Sequence, residues 1–228
     1  MDMRLDWVTL TTAFFLLGSM PVEAQVVPLD DAAFVLMKGG EEVGEERLTL
    51  HRMGLGQDAR IIGQSEIRMH DGSEMRPRLE ATPDMRATTY QNKFTGEFTG
   101  EVLVSRAGRR LVARTQTASG ESQREYRASD RTVILEPRVV LLYYFLEPWL
   151  AEGDATLTQL EPRGGSQSQV TFTRVGVERV RLGRRMVEAR HYRLDGGGPS
   201  CHVWFDDQGR VVALEIPDEG FRAERRTS

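Results

Sequence analysis

The amino-acid sequence predicts a mainly β protein, a curved antiparallel sheet or incomplete β-barrel built as a meander, with one short apolar helix packed against it. Two observations carry this. Short runs of alternating apolar and polar residues follow one another, punctuated by Gly, Asp, Asn or Ser about every ten residues. One stretch, Val139 to Leu150, breaks the alternation by being apolar at nearly every position. A third observation bears on destination: the first two dozen residues differ from everything after them.

Trp7 to Met20 carries no charge and contains Val8, Leu10, Ala13, Phe14, Phe15, Leu16 and Leu17. The run has the length of a signal-peptide core and falls short of the ~20 apolar residues of a membrane span. Pro21 and then Val22-Glu23-Ala24 follow, with small residues at the two positions a signal peptidase recognises. Cleavage after Ala24 is therefore expected, with residues 1–24 as a signal peptide, residues 25–228 as a single β-rich domain, and a periplasmic or secreted destination. Asp2, Arg4 and Asp6 leave the leading segment without a clear basic character, which a start at Met3 instead of Met1 would help explain. A buried N-terminal helix is the alternative, but no amphipathic stripe supports it. No cysteine stands at the cleavage site, so a lipid-anchored lipoprotein is not expected.

Removing residues 1–24 from 228 leaves 204, enough for one domain with a substantial core. The removed segment carries Arg4 against Asp2, Asp6 and Glu23, so the formal charge moves from −4 to −2. A near-neutral domain has no strong electrostatic reason to bind nucleic acid. The lone cysteine, Cys201, excludes an intramolecular disulfide and reads as a small residue on a strand.

The elements follow in order. Ala33 to Lys38 is a strand with apolar residues on both faces, closed by Gly39-Gly40. Leu48 and Leu50 mark the next, and Ile67 and Met69 another, which ends at the hairpin signal Asp71-Gly72. Strands then run through Leu79 and Ala81, Thr88 to Phe94, Val102 and Val104, Leu111 to Thr115, and Val133 to Leu135. Pro137 and Pro148 bracket the apolar stretch, and ten residues make about three helical turns. A short buried helix is favoured there over a buried strand, and it must be enclosed by the rest of the fold. Strands resume at Leu157 and Leu160, Val170 to Val177, Val180 and Leu182, and Val187 to Leu194. After the Gly196–Gly198 loop come Val203 and Phe205, then Val212 to Ile216, with Phe221 to Glu224 as a last edge strand.

Catalytic and cofactor motifs are absent. There is no Gly-x-Ser-x-Gly elbow, phosphate-cradling loop, His-Glu-x-x-His helix or Cys-x-x-Cys pair, and no cofactor or metal is expected. His51 and His70 fall on polar strand faces. His191 and His202 fall on consecutive strands and should be neighbours. Cys201 could complete a metal set with them only if strand alternation failed, because it sends Cys201 and His202 to opposite faces. Asp206-Asp207 looks like a carboxylate pair, but alternation separates the two and Asp207 sits where a turn wants an Asx residue. Leu142, Tyr143, Phe145, Leu146 and Trp149 are the candidate ligand-binding residues, with plain core packing as the alternative.

Ala189 to Leu194, then Val203-Trp204-Phe205-Asp206 running to Val211, then Leu214 to Pro217, resemble the ending of exported bacterial β-rich proteins of unknown function. Phe34, Gly39 and Val43-Gly44 are similar to their start. Those families are similar in layout to the periplasmic lipoprotein-carrier, or half-barrel, fold, in which a curved sheet wraps a helix and shelters an acyl chain. The resemblance implies that Val139–Leu150 is the plug inside the curve, and it transfers no functional residue.

Three functions remain open. The first is a non-enzymatic periplasmic protein that binds a lipid or other apolar molecule. The second is an envelope scaffold that holds a partner on its sheet edges. The third is a hydrolase with a loop-built site from Asp206, His191 and Glu188. The leader gives a direct test: protein recovered from the periplasm or medium should begin at Gln25 by N-terminal sequencing, and material retained inside the cell with Met1 or Met3 intact would overturn the export reading.

Overall fold

The computed structural model describes residues 26–226. The expected signal peptide, and the cleavage position at Ala24, lie outside the described residues. Among these residues fifteen strands form one sheet. They are β1 (Val26–Lys38), β2 (Glu41–Met53), β3 (Arg60–Met69), β4 (Glu74–Ala81), β5 (Ala87–Thr95), β6 (Gly100–Ala107), β7 (Arg110–Thr117), β8 (Gly120–Arg127), β9 (Thr132–Ile134), β10 (Ala155–Glu161), β11 (Ser166–Leu182), β12 (Arg185–Asp195), β13 (Cys201–Phe205), β14 (Val211–Ile216) and β15 (Phe221–Arg225). Across the sheet the order is β8-β7-β6-β5-β4-β3-β2-β1-β15-β14-β13-β12-β11-β10-β9.

Two meanders therefore meet at the pairing of the first strand with the last. β1 pairs β2 on one edge and β15 on the other, so Phe34 faces both Glu46 and Arg225. The expected edge strand at Phe221–Glu224 is thus a central strand. The cause is simple: once β2 takes one side of β1, the other side offers a free ladder, and Phe221 and Ala223 carry the inward pattern to match Leu36. On β1 itself Asp30, Ala32, Phe34 and Leu36 alternate inward, as period-two side chains must.

Two further departures have physical reasons. β8 gives no apolar alternation, because seven of its eight residues are exposed, with Tyr126 half-buried. It exists because the hairpin after Thr117 lays it on β7, with Thr117 opposite Gly120. β9 and β10 pair parallel, against the antiparallel expectation. A parallel pair needs a crossover of a dozen or more residues, and the apolar stretch supplies it.

That stretch fills the concave face. Val139 to Leu146 are all buried. Its regular part is a single α-helical turn, α1 (Val140–Tyr143), continued as 3-10 helix over Tyr144–Leu150 with Pro148 inside. The expected three-turn helix is thus one α turn tightened into 3-10. Pro148 has no N–H to donate, which favours this short form.

Gly63 on β3 lets the plug seat. A Cβ there would lie 2.7 Å from Leu141 Cδ1 and 3.2 Å from Phe145 Cε2. Gly63→Ala should therefore cost about 1–3 kcal/mol of stability by overpacking, read from the urea midpoint. An unchanged midpoint would mean that the plug does not bear on β3.

Candidate functional site

The interior is apolar, and a few buried polar groups pin the plug into it. Glu46, inward on β2 and fully buried, accepts the backbone N–H of Val140 at 2.8 Å and of Leu141 at 3.0 Å. These belong to the first turn of α1, whose amides have no partner within the helix. Burial raises the Glu46 carboxyl to about 7, outweighing the two amides that favour its charge.

A second anchor joins three elements. Tyr144 donates to Asp30 Oδ2 at 2.6 Å, and Arg225 Nη1 donates to the same oxygen at 2.7 Å. Burial alone would raise the Asp30 carboxyl, but Arg225 and Tyr144 together hold it below the ordinary range. The plug is thus tied to both β1 and β15. At its other side the Cys201 thiol lies 3.4 Å from the Tyr143 hydroxyl. Burial pushes that thiol up to about 12, so it is neutral and unreactive as a nucleophile. A cleft of about 270 Å³ opens beside this pair, lined by Gln159, Glu161, Gly197 and Glu219 among others.

A third polar group lies at the seam of the sheet. Asn92 Nδ2 donates to Glu136 Oε2 at 3.1 Å, and Arg163 Nε is 3.4 Å from the same atom. Burial raises the Glu136 carboxyl, with Arg163 opposing. The Tyr90 hydroxyl, Asn92 Oδ1 and Glu136 Oε1 are buried without a hydrogen bond of good geometry. Arg163 also lines a 120 Å³ cleft with Arg124, Tyr126 and Gly165. There β8, one end of the sheet, approaches the β10–β11 turn near the other end. Side chains bridge it where no ladder runs: Arg124 donates to the Gly165 carbonyl at 2.9 Å and Gln167 to the Arg127 carbonyl at 2.7 Å.

The residues singled out from sequence fall into distinct places. Leu142, Phe145 and Leu146 are core. Tyr143 faces the cleft at Cys201. Trp149 is half-buried, with the Arg131 guanidinium 5.1 Å from its ring centre. His191 and His202 do meet, Nε2 to Nδ1 at 2.7 Å, on the convex face. Glu178, which no sequence signal marked, accepts from Trp204 at 3.0 Å and lies 2.8 Å from His191 Nδ1. Cys201 is on the opposite face, as alternation requires. Among the described residues no group of three or more His, Cys, Asp or Glu is placed to hold a metal.

Asp206, not Asp207, caps its turn, accepting the Gln208 and Arg210 amides at 3.0 and 2.9 Å. The strand ends one residue earlier than the sequence suggested, which moves the Asx position back. Glu188 stands across the ladder from Arg179 on an exposed face, so Asp206, His191 and Glu188 are not gathered into one site.

The family described as a domain of unknown function, DUF6134, matches residues 34–227. The chain belongs to this family. No curated protein sequence matches it. A DUF6134 chain has a structural neighbour in the crystal structure of a beta-barrel-like protein of the domain of unknown function DUF1849 from Brucella abortus, with a TM-score of 0.53 and 10% identity over 90% of this chain and 97% of the other. At that identity the likeness speaks for the fold alone. Both findings agree with a β-rich, barrel-like protein of unknown function. Among the described residues no helix is long and apolar enough to cross a membrane.

The buried glutamate has a pH signature. Its folded value lies above its unfolded one, so the folded state holds a proton that the unfolded state releases between roughly pH 4.5 and 7, and this contribution is lost as pH rises through that window. Urea midpoints of the parent at pH 5 and pH 8, minus those of Glu46→Gln, should therefore fall with pH. A flat difference would mean that Glu46 is not buried against the plug.

Proposed function

We propose that this DUF6134 chain is an exported, non-enzymatic envelope protein, periplasmic or secreted, that binds a lipid or other amphiphile along the plug. The acyl part would pack on Leu142, Tyr143, Phe145, Leu146 and Trp149. One observation carries the reading: beside an apolar interior, β8 and the β10–β11 turn share no ladder and meet through side chains, Arg124 donating to the Gly165 carbonyl and Gln167 to the Arg127 carbonyl. Opening there breaks few hydrogen bonds. Just inside stand Tyr90, Asn92 and Glu136, polar atoms able to hold a head group, in the pattern of a mostly apolar site with a few convergent polar groups.

A second reading has its own observation. β8 presents an unpaired backbone edge with polar residues on both faces, suited to adding an extended strand from a partner protein. The two readings separate in one experiment. If an amphiphile is the ligand, a solvent extract of protein purified from its native envelope should yield a stoichiometric lipid by mass spectrometry. Arg124→Ala with Gln167→Ala should then speed the uptake of an apolar fluorescent probe several-fold. An empty extract, with probe uptake unchanged in the seam variant, would refute the lipid reading and leave the edge as the working surface.

A further inference from the structure

β11, at 17 residues, is the longest strand among the described residues, and the hairpin it forms with β12 is charged unlike the rest of the chain. From Arg174 to Arg193 it holds seven arginines against Glu178 and Glu188, a net of +5 in a chain whose formal total is −4. The arm is thus locally basic in a chain that is acidic overall.

The hairpin is also two-faced. On one face Val180, Leu182 and Ala189, with Val187 beside them, pack on Trp204, Val212 and Ala213 of the convex side. This fixes the arm in place. The other face is open. Arg179 stands opposite Glu188 and Arg181 opposite Met186, so these share that face with Val177. Val177 and Met186 are 49% and 48% exposed, and Val175, at the bulge, 51%. Arg184 sits at the tip turn, whereas Arg185, opposite Leu182 and so on the packed face, lines a groove of about 750 Å³ with Arg47, Arg210, Arg225 and Arg226, alongside Asp31 and Asp206.

Most arginines of this protein are engaged. Arg225 pairs with Asp30, Arg210 with Asp206, Arg226 with Glu42 and Arg222 with Glu215. Arg179, Arg181, Arg184 and Arg185 instead form no ion pair or side-chain hydrogen bond among the described residues. Of the two acids, Glu178 is taken up by His191 and Trp204. Glu188 offsets part of the field without pairing.

We propose that the open face of the β11–β12 hairpin docks onto an anionic lipid surface. Arginine guanidinia would meet the phosphates, while Val175, Val177 and Met186 enter the interface between them. The interleaved apolar side chains favour a bilayer over a nucleic acid, which offers phosphate but no apolar layer. Interfacial binding combines these two contributions, buried apolar area and attraction to anionic lipid. This surface is on the convex side and at the hairpin, away from the seam, so it stands whether or not the interior takes a ligand.

The test is vesicle co-sedimentation of the full-length chain, so that any leader is common to every variant. Phosphatidylcholine vesicles are compared with vesicles carrying roughly a third phosphatidylglycerol. The parent should bind the anionic vesicles much more tightly, and raising salt from about 0.05 to about 0.5 M should remove most of the difference. Arg179→Gln, Arg181→Gln and Arg184→Gln together should weaken binding by about five-fold per arginine. Val177→Ser with Met186→Ser should weaken it with the salt dependence kept. Arg76→Gln with Arg114→Gln, on the other meander, should leave it unchanged, and all variants should keep the parent's urea midpoint. Equal binding to both vesicle types, or equal binding by the hairpin and control variants, overturns the proposal. So does tight binding of a DNA duplex with none to vesicles.

Discussion

The sheet does not close on itself, and so it must carry its own filling. Everything in the interior answers to that constraint. A fifteen-strand sheet with a curved apolar face needs something apolar in the curve, and whatever enters brings backbone amides that water no longer reaches. The chain meets both needs with Val139–Leu150. Its side chains fill the space, one helical turn satisfies part of its backbone, and Glu46 accepts the two amides the turn leaves over. A carboxylate so deep is costly in itself. It is held there because the orphan amides would otherwise be costly too.

The same constraint explains the topology. The plug is also the crossover that lets β9 lie parallel to β10, so filling the curve and bringing the chain back to run in the same direction are one act. The ends of the domain meet in the middle of the sheet, at β1 and β15, where the Asp30–Arg225–Tyr144 group ties both to the plug. Pairing of such distant segments is the slow kind of contact to form. The sheet completes only when its last strand arrives. The far ends of the sheet meet where β8 and the β10–β11 turn touch through side chains.

Much of this was legible in the sequence and some was not, for definite reasons. Alternation located nearly every strand with one buried face, because period-two burial leaves a period-two record. It failed for β8, which has no buried face to record. It placed β15 correctly but at an edge, because strand order depends on which free ladders meet, and no local pattern encodes that. Hydropathy marked the plug residues from Leu142 to Trp149 but not what holds them. Glu46 looks like any charge in Glu45-Glu46-Arg47, and only the inward register of Leu48 and Leu50 could have hinted that it points inside. His191 and His202 were recognisable as neighbours from the hairpin, whereas Glu178 reaches them from a third strand. The arginines of the β11–β12 hairpin were visible one by one. Their shared open face was not, since it depends on the bulge after Arg174.

The proposed route into the interior opens the β8 seam without unfolding the β1–β15 centre. Native-state hydrogen exchange resolved by segment tests it directly. If the seam opens first, the amides of Val140–Leu150 exchange in the same partial opening as β8, at a free energy clearly below that of β1 and β15. If the plug exchanges only together with β1 and β15, in global unfolding, the interior is a sealed core and the seam is no entrance.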